Sequence, residues 1–174
     1  MAILDKQSLA EYIVFKFSQL KEGAQISPIK LQKGLYFLYA MWGGKVLLAK
    51  GESKQDTEAD DLYGAWDEYL FEASFAAWKY GPVDENIWIW YKNKQNIDDL
   101  TGRLKFVDKC SYQDEVVNYV DELLVRIFAT SDFGLVDLSH EDICWQSKVG
   151  SNSPMSNKEI IEEYAKRYGY KANA

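Results

Sequence analysis

The spacing of apolar residues predicts a chain built mostly of helices. The clearest one is SPIKLQKGLYFLYAMWGG, where Ser27 can cap the N-terminus and Pro28 suits the first turn. Its wide apolar stripe is typical of a buried helix. The pair Gly43 and Gly44 is expected to end this helix. Gly34, inside the stripe, indicates a close approach by another element.

Further helices are predicted along the rest of the chain. Asp5 can cap a helix that ends at Gly23, and Asp84 can cap the aromatic segment ENIWIWYKN. The segment YQDEVVNYVDELLVRIFATSDFG has the periodicity of one strong amphipathic helix. Two pairs have the spacing of a capping box: Ser139 with Asp142, and Ser156 with Glu159.

One stretch alternates with the period of a strand. YLFEASFAAW, from Tyr69, places Phe71, Ala73 and Phe75 on one face, and Gly81-Pro82 is expected to end the strand. The predicted class is therefore mainly α (α+β), a compact helical domain with one small antiparallel sheet or hairpin. With 174 residues, of which 47% are apolar, the whole chain (residues 1–174) is expected to form a single domain with a packed core.

The negative charge is concentrated in one segment. Residues 52–72 hold eight acids against one base, which equals the net charge of −7 for the whole chain. We interpret residues 44–70 as an acidic insertion, either a solvated loop or a surface for a basic partner that includes Asp60 and Asp61. A clustered basic surface is missing, so direct binding of nucleic acid is not expected. Apolar runs are too short for a membrane span, which predicts a cytoplasmic protein with both cysteines reduced.

Residues able to perform catalysis are few. His140 is the single histidine, and Cys144 follows four positions later. The pair is either a nucleophile with its base or half of a metal site, or else His140 is a structural residue near a helix N-terminus. Phosphate-binding loops, nucleophile elbows and zinc-protease motifs are absent from the sequence. The sequence therefore predicts no enzyme, no cofactor and no metal. Trp78 and Tyr80 are either core residues or anchors for a partner.

Three segments resemble, in order, the motifs of the Panacea domain, also called the SocA-like or phage-associated-protein family. They are KLQKGLYFLYA (30–40), FAAWKYGPV (75–83) and DLSHEDICW (137–145). The motif residues are Lys30, Leu31, Gln32, Lys33, Tyr36, Trp78, Gly81, Pro82, His140 and Trp145. In one respect the chain departs from the family pattern, because family members connect the first two motifs by a short segment. Here residues 43–75 separate them, and they carry the acidic insertion.

The resemblance implies an antitoxin that neutralises a cognate protein toxin by direct contact. Alternatives are an adaptor that delivers a toxin to a ClpXP-type protease, a prophage-encoded host-interaction protein, and an enzyme using His140. The partner would be basic if it met the acidic insertion. The expected partner-binding residues are Lys30, Lys33, Trp78, Tyr80, Gly81 and Pro82, together with Asp60 and Asp61.

Overall fold

The computed structural model describes residues 2–52, 65–94, 99–100, 102–151 and 153–171. Within these ranges the chain forms seven helices and one two-stranded antiparallel hairpin, which confirms the predicted fold class. The elements are α1 (Lys6–Leu20), α2 (Pro28–Glu52), β1 (Phe75–Trp78), β2 (Gly81–Asp84), α3 (Glu85–Asn93), α4 (Gln113–Ala129), α5 (Asp132–His140), α6 (Ile143–Gln146) and α7 (Asn157–Arg167). No helix in these ranges combines the length and apolar character needed to cross a membrane.

Helix α2 is the centre of the molecule, and every residue from 31 to 40 is buried. Ser27 caps it as predicted, because its Oγ accepts a hydrogen bond from the Lys30 N–H at 3.1 Å. The prediction that Gly43 and Gly44 end the helix is wrong, since α2 continues to Glu52. The first part of the predicted acidic insertion, residues 44–52, is therefore helical. Residues 53–64 of the insertion lie outside the described residues.

The two glycines of α2 allow helix α7 to pack closely against it. A Cβ on Gly43 would lie 2.5 Å from Ile161 Cγ1, and one on Gly44 would lie 2.7 Å from Tyr164 Cβ. Atoms cannot approach that closely, so both positions require glycine as long as α7 keeps its place. Gly34 was predicted to mark a close approach, and this is wrong as well. A Cβ there would be at an ordinary 3.8 Å from Ile127.

The hairpin is shorter than the predicted strand. Strand β1 begins at Phe75, and Phe75 pairs with Asp84 while Trp78 pairs with Gly81. Gly81 and Pro82 lie inside β2 instead of ending a strand, and residues 79–80 form the turn. Phe71, Ala73 and Phe75 are buried and alternate with the exposed Glu72 and Ser74, but residues 71–74 form no regular strand.

Several predicted caps are present and one is not. Asp5, Asp84 and Ser156 each accept a hydrogen bond from the backbone N–H three residues later. The predicted single helix from Tyr112 to Gly134 is two helices, α4 and α5. Ser131 is the N-cap of α5, and its Oγ accepts a hydrogen bond from the Gly134 N–H. The predicted Ser139–Asp142 capping box is wrong. Ser139 lies within α5, where its hydroxyl donates to the Val136 carbonyl, and Asp142 makes tertiary contacts instead.

Candidate functional site

The hairpin is held against α2 by a side chain of the first sequence motif. The Gln32 amide donates to the Asp84 carbonyl at 3.2 Å, and its oxygen accepts from the Asp84 N–H at 2.8 Å. Both residues are buried. Since buried backbone groups need partners, Gln32 takes the place of a second strand neighbour, which β2 lacks within the part of the chain that the structure describes.

The Asp84 side chain joins three more parts of the chain. Its carboxylate accepts hydrogen bonds from the Lys6 ammonium at 2.9 Å, from the Ser74 N–H at 3.1 Å and from the Ile87 N–H at 3.3 Å. The carboxylate is fully buried, so these charge-assisted bonds replace its lost hydration. They fix the start of α3 relative to the hairpin.

Lys33 is buried beneath the hairpin, with 1% of its surface exposed. Its Nζ donates to the Pro82 carbonyl at 2.9 Å, and no ion pair links it to a carboxylate among the described residues. Loss of hydration lowers the pKa of Lys33 to about 7. A buried amine to which the described residues give no counter-ion is unfavourable for folding and therefore indicates a site with another purpose.

Gly81 lets the hairpin approach this amine. Its φ of +107° is in a region that L-residues rarely adopt, and an added Cβ would lie 2.4 Å from Ser139 Oγ and 2.6 Å from Lys33 Cε. Both the backbone conformation and the space around it require glycine. The first, second and third sequence motifs therefore meet at this point.

His140 and Trp145 hold the turn of the hairpin from the other side. The Trp145 indole donates to the Trp78 carbonyl at 2.8 Å, and His140 Nε2 lies 3.1 Å from the Lys79 carbonyl oxygen. The two rings stack at 4.0 Å between centroids. His140 is thus bonded to backbone, as expected for a structural histidine, and it is the last residue of α5, just before Asp142 at the N-terminus of α6.

An apolar cleft of about 350 Å³ opens between α2, the hairpin and α3, and we call it the hairpin cleft. Trp78 and Trp88 meet edge to face at 5.5 Å and are both half-buried, and Tyr80 is 49% exposed at the turn. Lys33 also contributes to its lining. Besides these four residues, the walls include Ile29 and Val83.

The other predicted site residues are spread over different surroundings. Lys30 lies outside the hairpin cleft, where its Nζ is 3.6 Å from an Asp132 carboxylate oxygen and 3.4 Å from the Phe128 carbonyl oxygen. Leu31 is a fully buried core residue, and Pro82 is buried in β2. The predicted partner-binding residues Asp60 and Asp61 lie outside the described residues.

Tyr36 takes part in a second buried cluster, centred on Asp142. The Asp142 carboxylate accepts from the Tyr36 hydroxyl, from the Tyr164 hydroxyl at 2.7 Å and from Arg167 Nη2 at 2.6 Å. Arg167 also pairs with Glu163 at 2.7 Å. Burial, followed by the neighbouring negative groups, raises the pKa of Tyr36 well above its ordinary value. The cluster ties α2, α6 and α7 together.

The same cluster includes the grouping closest to a metal site in the described chain. Ligand atoms of Asp142, Cys144 and Glu163 lie within 4.8 Å of one another. Both carboxylates already bind Arg167, and the Glu163 oxygens also accept from the Ile143 and Cys144 N–H groups at 3.0 and 2.8 Å. Burial raises the pKa of the Cys144 thiol to about 12, which disfavours the thiolate that a metal needs. The donor set is therefore already satisfied by the protein itself.

Two residues of these sites were missed by the sequence reasoning. Trp88 was predicted only as part of the aromatic helix ENIWIWYKN, because helical periodicity alone cannot show which face of a nine-residue helix borders a cleft. Asp142 was interpreted as part of a capping box, since its tertiary partners lie 22 to 106 residues away. Its position in the third motif was the available signal.

Comparison of the chain with protein-family models, with curated proteins and with solved structures found no match. The resemblance to the Panacea domain therefore stays a prediction based on the three motifs.

Proposed function

We propose that this protein is a cytoplasmic antitoxin that binds and neutralises a protein toxin, and that the hairpin cleft is its contact surface. The observation that supports this most is the meeting of the three motifs at one hairpin. Gln32, Lys33, His140 and Trp145 all bind the backbone between Trp78 and Asp84. So many fixed contacts on these seven residues keep the hairpin rigid.

The surface that these contacts present has the composition of an interface centre. Tyr80 is half exposed at the tip of the hairpin, and Trp78 and Trp88 lie beside it. Tyrosine and tryptophan are the residues most enriched among interface hot spots. A pre-organised aromatic patch loses little conformational entropy on binding, which favours affinity.

His140 is not arranged for catalysis with Cys144. Its Nε2 lies against the Lys79 carbonyl and its ring stacks on Trp145, while Cys144 lies next to Tyr36 and the backbone contacts of Glu163. A buried thiol whose pKa is raised to about 12 is a poor nucleophile. The geometry supports protein binding better than the enzyme hypothesis.

Co-expression with the product of the adjacent gene tests the proposal. We expect that the neighbour arrests growth alone, that this protein restores growth, and that the two proteins copurify. Tyr80→Ala and Trp88→Ala should each weaken rescue and copurification, since truncation of a hot-spot side chain lowers affinity about thirtyfold. Phe133→Ala is the matched control, because Phe133 is an exposed aromatic residue of α5 outside the hairpin cleft.

A neighbour that is not toxic, or toxicity that persists beside this protein, would contradict the antitoxin proposal. Full rescue by both cleft variants together with loss of rescue by Phe133→Ala would place the interface on α5 instead. The half-life of the toxin in cells with and without a ClpXP-type protease separates masking from delivery. If the toxin is only masked, its half-life should be the same with and without the protease. If it is delivered, its half-life should lengthen when the protease is removed.

A further inference from the structure

The hairpin cleft combines two features that point to a particular ligand chemistry. Its walls are apolar and aromatic, but one of the residues that line it is the buried Lys33. An amine has two or three N–H donors, and Pro82 O is the one acceptor that the described residues give to Lys33 Nζ. The remaining donors need an acceptor that a ligand would supply.

The charges beside the hairpin cleft favour an anion. Lys79 Nζ lies 5.5 Å from the centre of the Tyr80 ring, and Lys92 Nζ lies 4.8 Å from the centre of the Trp88 ring. With Lys33 this gives three basic groups, and Glu85, which accepts from the Trp78 indole, opposes them. A carboxylate would therefore be attracted to the cleft and could form a charge-assisted hydrogen bond with Lys33.

The volume of the hairpin cleft limits the size of its occupant. At about 350 Å³ it is at the small end of the roughly 300–1,000 Å³ that ligand pockets span. It has room for one large residue and not for two. An apolar side chain and a carboxylate that enter together must then belong to the same residue, and a chain-terminal residue carries both.

We propose that the hairpin cleft binds the C-terminal residue of the protein partner, with a bulky apolar side chain between Trp78 and Trp88 and the terminal carboxylate on the Lys33 amine. The inference rests on the proposed function, because it specifies which group of the partner occupies the site. Capture of a C-terminal carboxylate is a recurring form of peptide recognition.

N-acetyl-tryptophan and N-acetyl-tryptophanamide are suitable probes, since they differ only in the carboxylate. The full chain, labelled with ¹⁵N, is titrated with each probe while the indole N–H signals of Trp78 and Trp88 and the side-chain signals of Lys33 are followed. We expect N-acetyl-tryptophan to bind about tenfold more tightly than the amide, as for one charge-assisted hydrogen bond. The Lys33 signals should move with the acid only.

Lys33→Met should remove the preference for the acid, and Lys45→Met should keep it. Lys45 is the matched control because it also lies over an aromatic ring, that of Tyr119, at 5.6 Å, but does not line the hairpin cleft. If Lys33→Met fails to fold, the movement of the Lys33 signals in the unmodified chain decides the question. Equal binding of acid and amide, or shifts that do not include Trp78 and Trp88, would overturn the inference.

A third probe, acetyl-Trp-Asp-amide, carries its carboxylate on the following side chain. It should bind as weakly as N-acetyl-tryptophanamide, and binding equal to that of N-acetyl-tryptophan would overturn the assignment to a chain terminus. The outcome is separable from that of the proposed function. Rescue of growth without a preference for the acid would contradict only this inference. A preference for the acid in the absence of a toxic neighbour would contradict only the antitoxin proposal.

Discussion

Gln32 forms two hydrogen bonds with the backbone of Asp84, one from its amide nitrogen and one to its amide oxygen, across 52 positions of sequence. This pair joins the central helix to the end of the hairpin. Because both partners are buried, the interaction decides where the hairpin lies on α2 and hence the shape of the hairpin cleft.

Gln32→Ala should lower the free energy of unfolding by about 2–4 kcal/mol, because it leaves the Asp84 N–H and carbonyl buried without partners. Urea unfolding followed by circular dichroism measures the change. Gln7→Ala is the control, since Gln7 is exposed on α1 and its contact with Glu11 at 3.4 Å is at the surface. Equal stability of the two variants would show that the Gln32 contacts contribute nothing.

Gly44→Ala and Gly34→Ala should change stability in opposite directions, although both lie in α2. A Cβ at Gly44 would meet Tyr164 Cβ at 2.7 Å and the Ala165 backbone nitrogen at 2.9 Å, so this variant should lose about 1–3 kcal/mol. A Cβ at Gly34 has room, and alanine there should gain up to about 1 kcal/mol from helix propensity. Thermal unfolding compares them, and a stabilised Gly44→Ala protein would contradict the close approach of α7.

Gly81→Ala should be more destabilising than Gly150→Ala. Both glycines have positive φ, +107° and +87°, and each substitution should incur the strain of about 1–2 kcal/mol that this conformation imposes. Only the Gly81 variant adds a clash, with Ser139 and Lys33, whereas nothing lies within 4 Å of a Cβ at Gly150. The expected difference is about 1–3 kcal/mol in chemical denaturation. Indistinguishable losses would mean that the turn moves freely away from Lys33.

The contribution of Lys33 to the stability of the protein should rise with pH above neutrality. Its folded-state pKa of about 7 lies below the ordinary 10.5, so the unfolded chain binds more protons between these values. Lys33 should therefore contribute a rise of up to about 1.4 kcal/mol per pH unit to the free energy of unfolding in this window. Below pH 7 the unfavourable contribution of the buried ammonium is fully present.

Denaturant unfolding at pH 7, 8 and 9 of the unmodified chain and of Lys33→Met measures this effect. The difference between the two proteins isolates Lys33, because Cys144 and the buried tyrosines are common to both. The free energy of unfolding of the unmodified chain should increase with pH relative to that of Lys33→Met. Parallel pH dependences would show that burial does not lower the pKa of Lys33 in the folded state.

Local signals in the sequence predicted the elements whose causes are local. Ser27, Asp5 and Asp84 start helices because their side chains bond to the backbone three residues on, and this geometry depends only on neighbouring residues. The glycine pair of α2 was misread for a related reason. Glycine next to glycine is a common helix end, and only the position of α7 reveals the packing role.

The candidate site was predicted in part. The resemblance brought Lys33, Trp78, Gly81 and His140 together as motif residues, and all four lie around the hairpin. That Lys33 would be buried, and that Trp88 would complete the cleft, could not be predicted. Whether a lysine is buried depends on which distant segments pack over it, and the spacing of apolar residues does not show this.

By itself the sequence determined a mostly helical chain with one short hairpin, because helix caps, apolar periodicity and turn residues act within a few positions of each other. The tertiary structure alone decided the length of α2, the pairing of Gln32 with Asp84 and the burial of the Lys33 amine. These features depend on contacts between residues far apart in the chain, whose energies exist only once the elements have packed together.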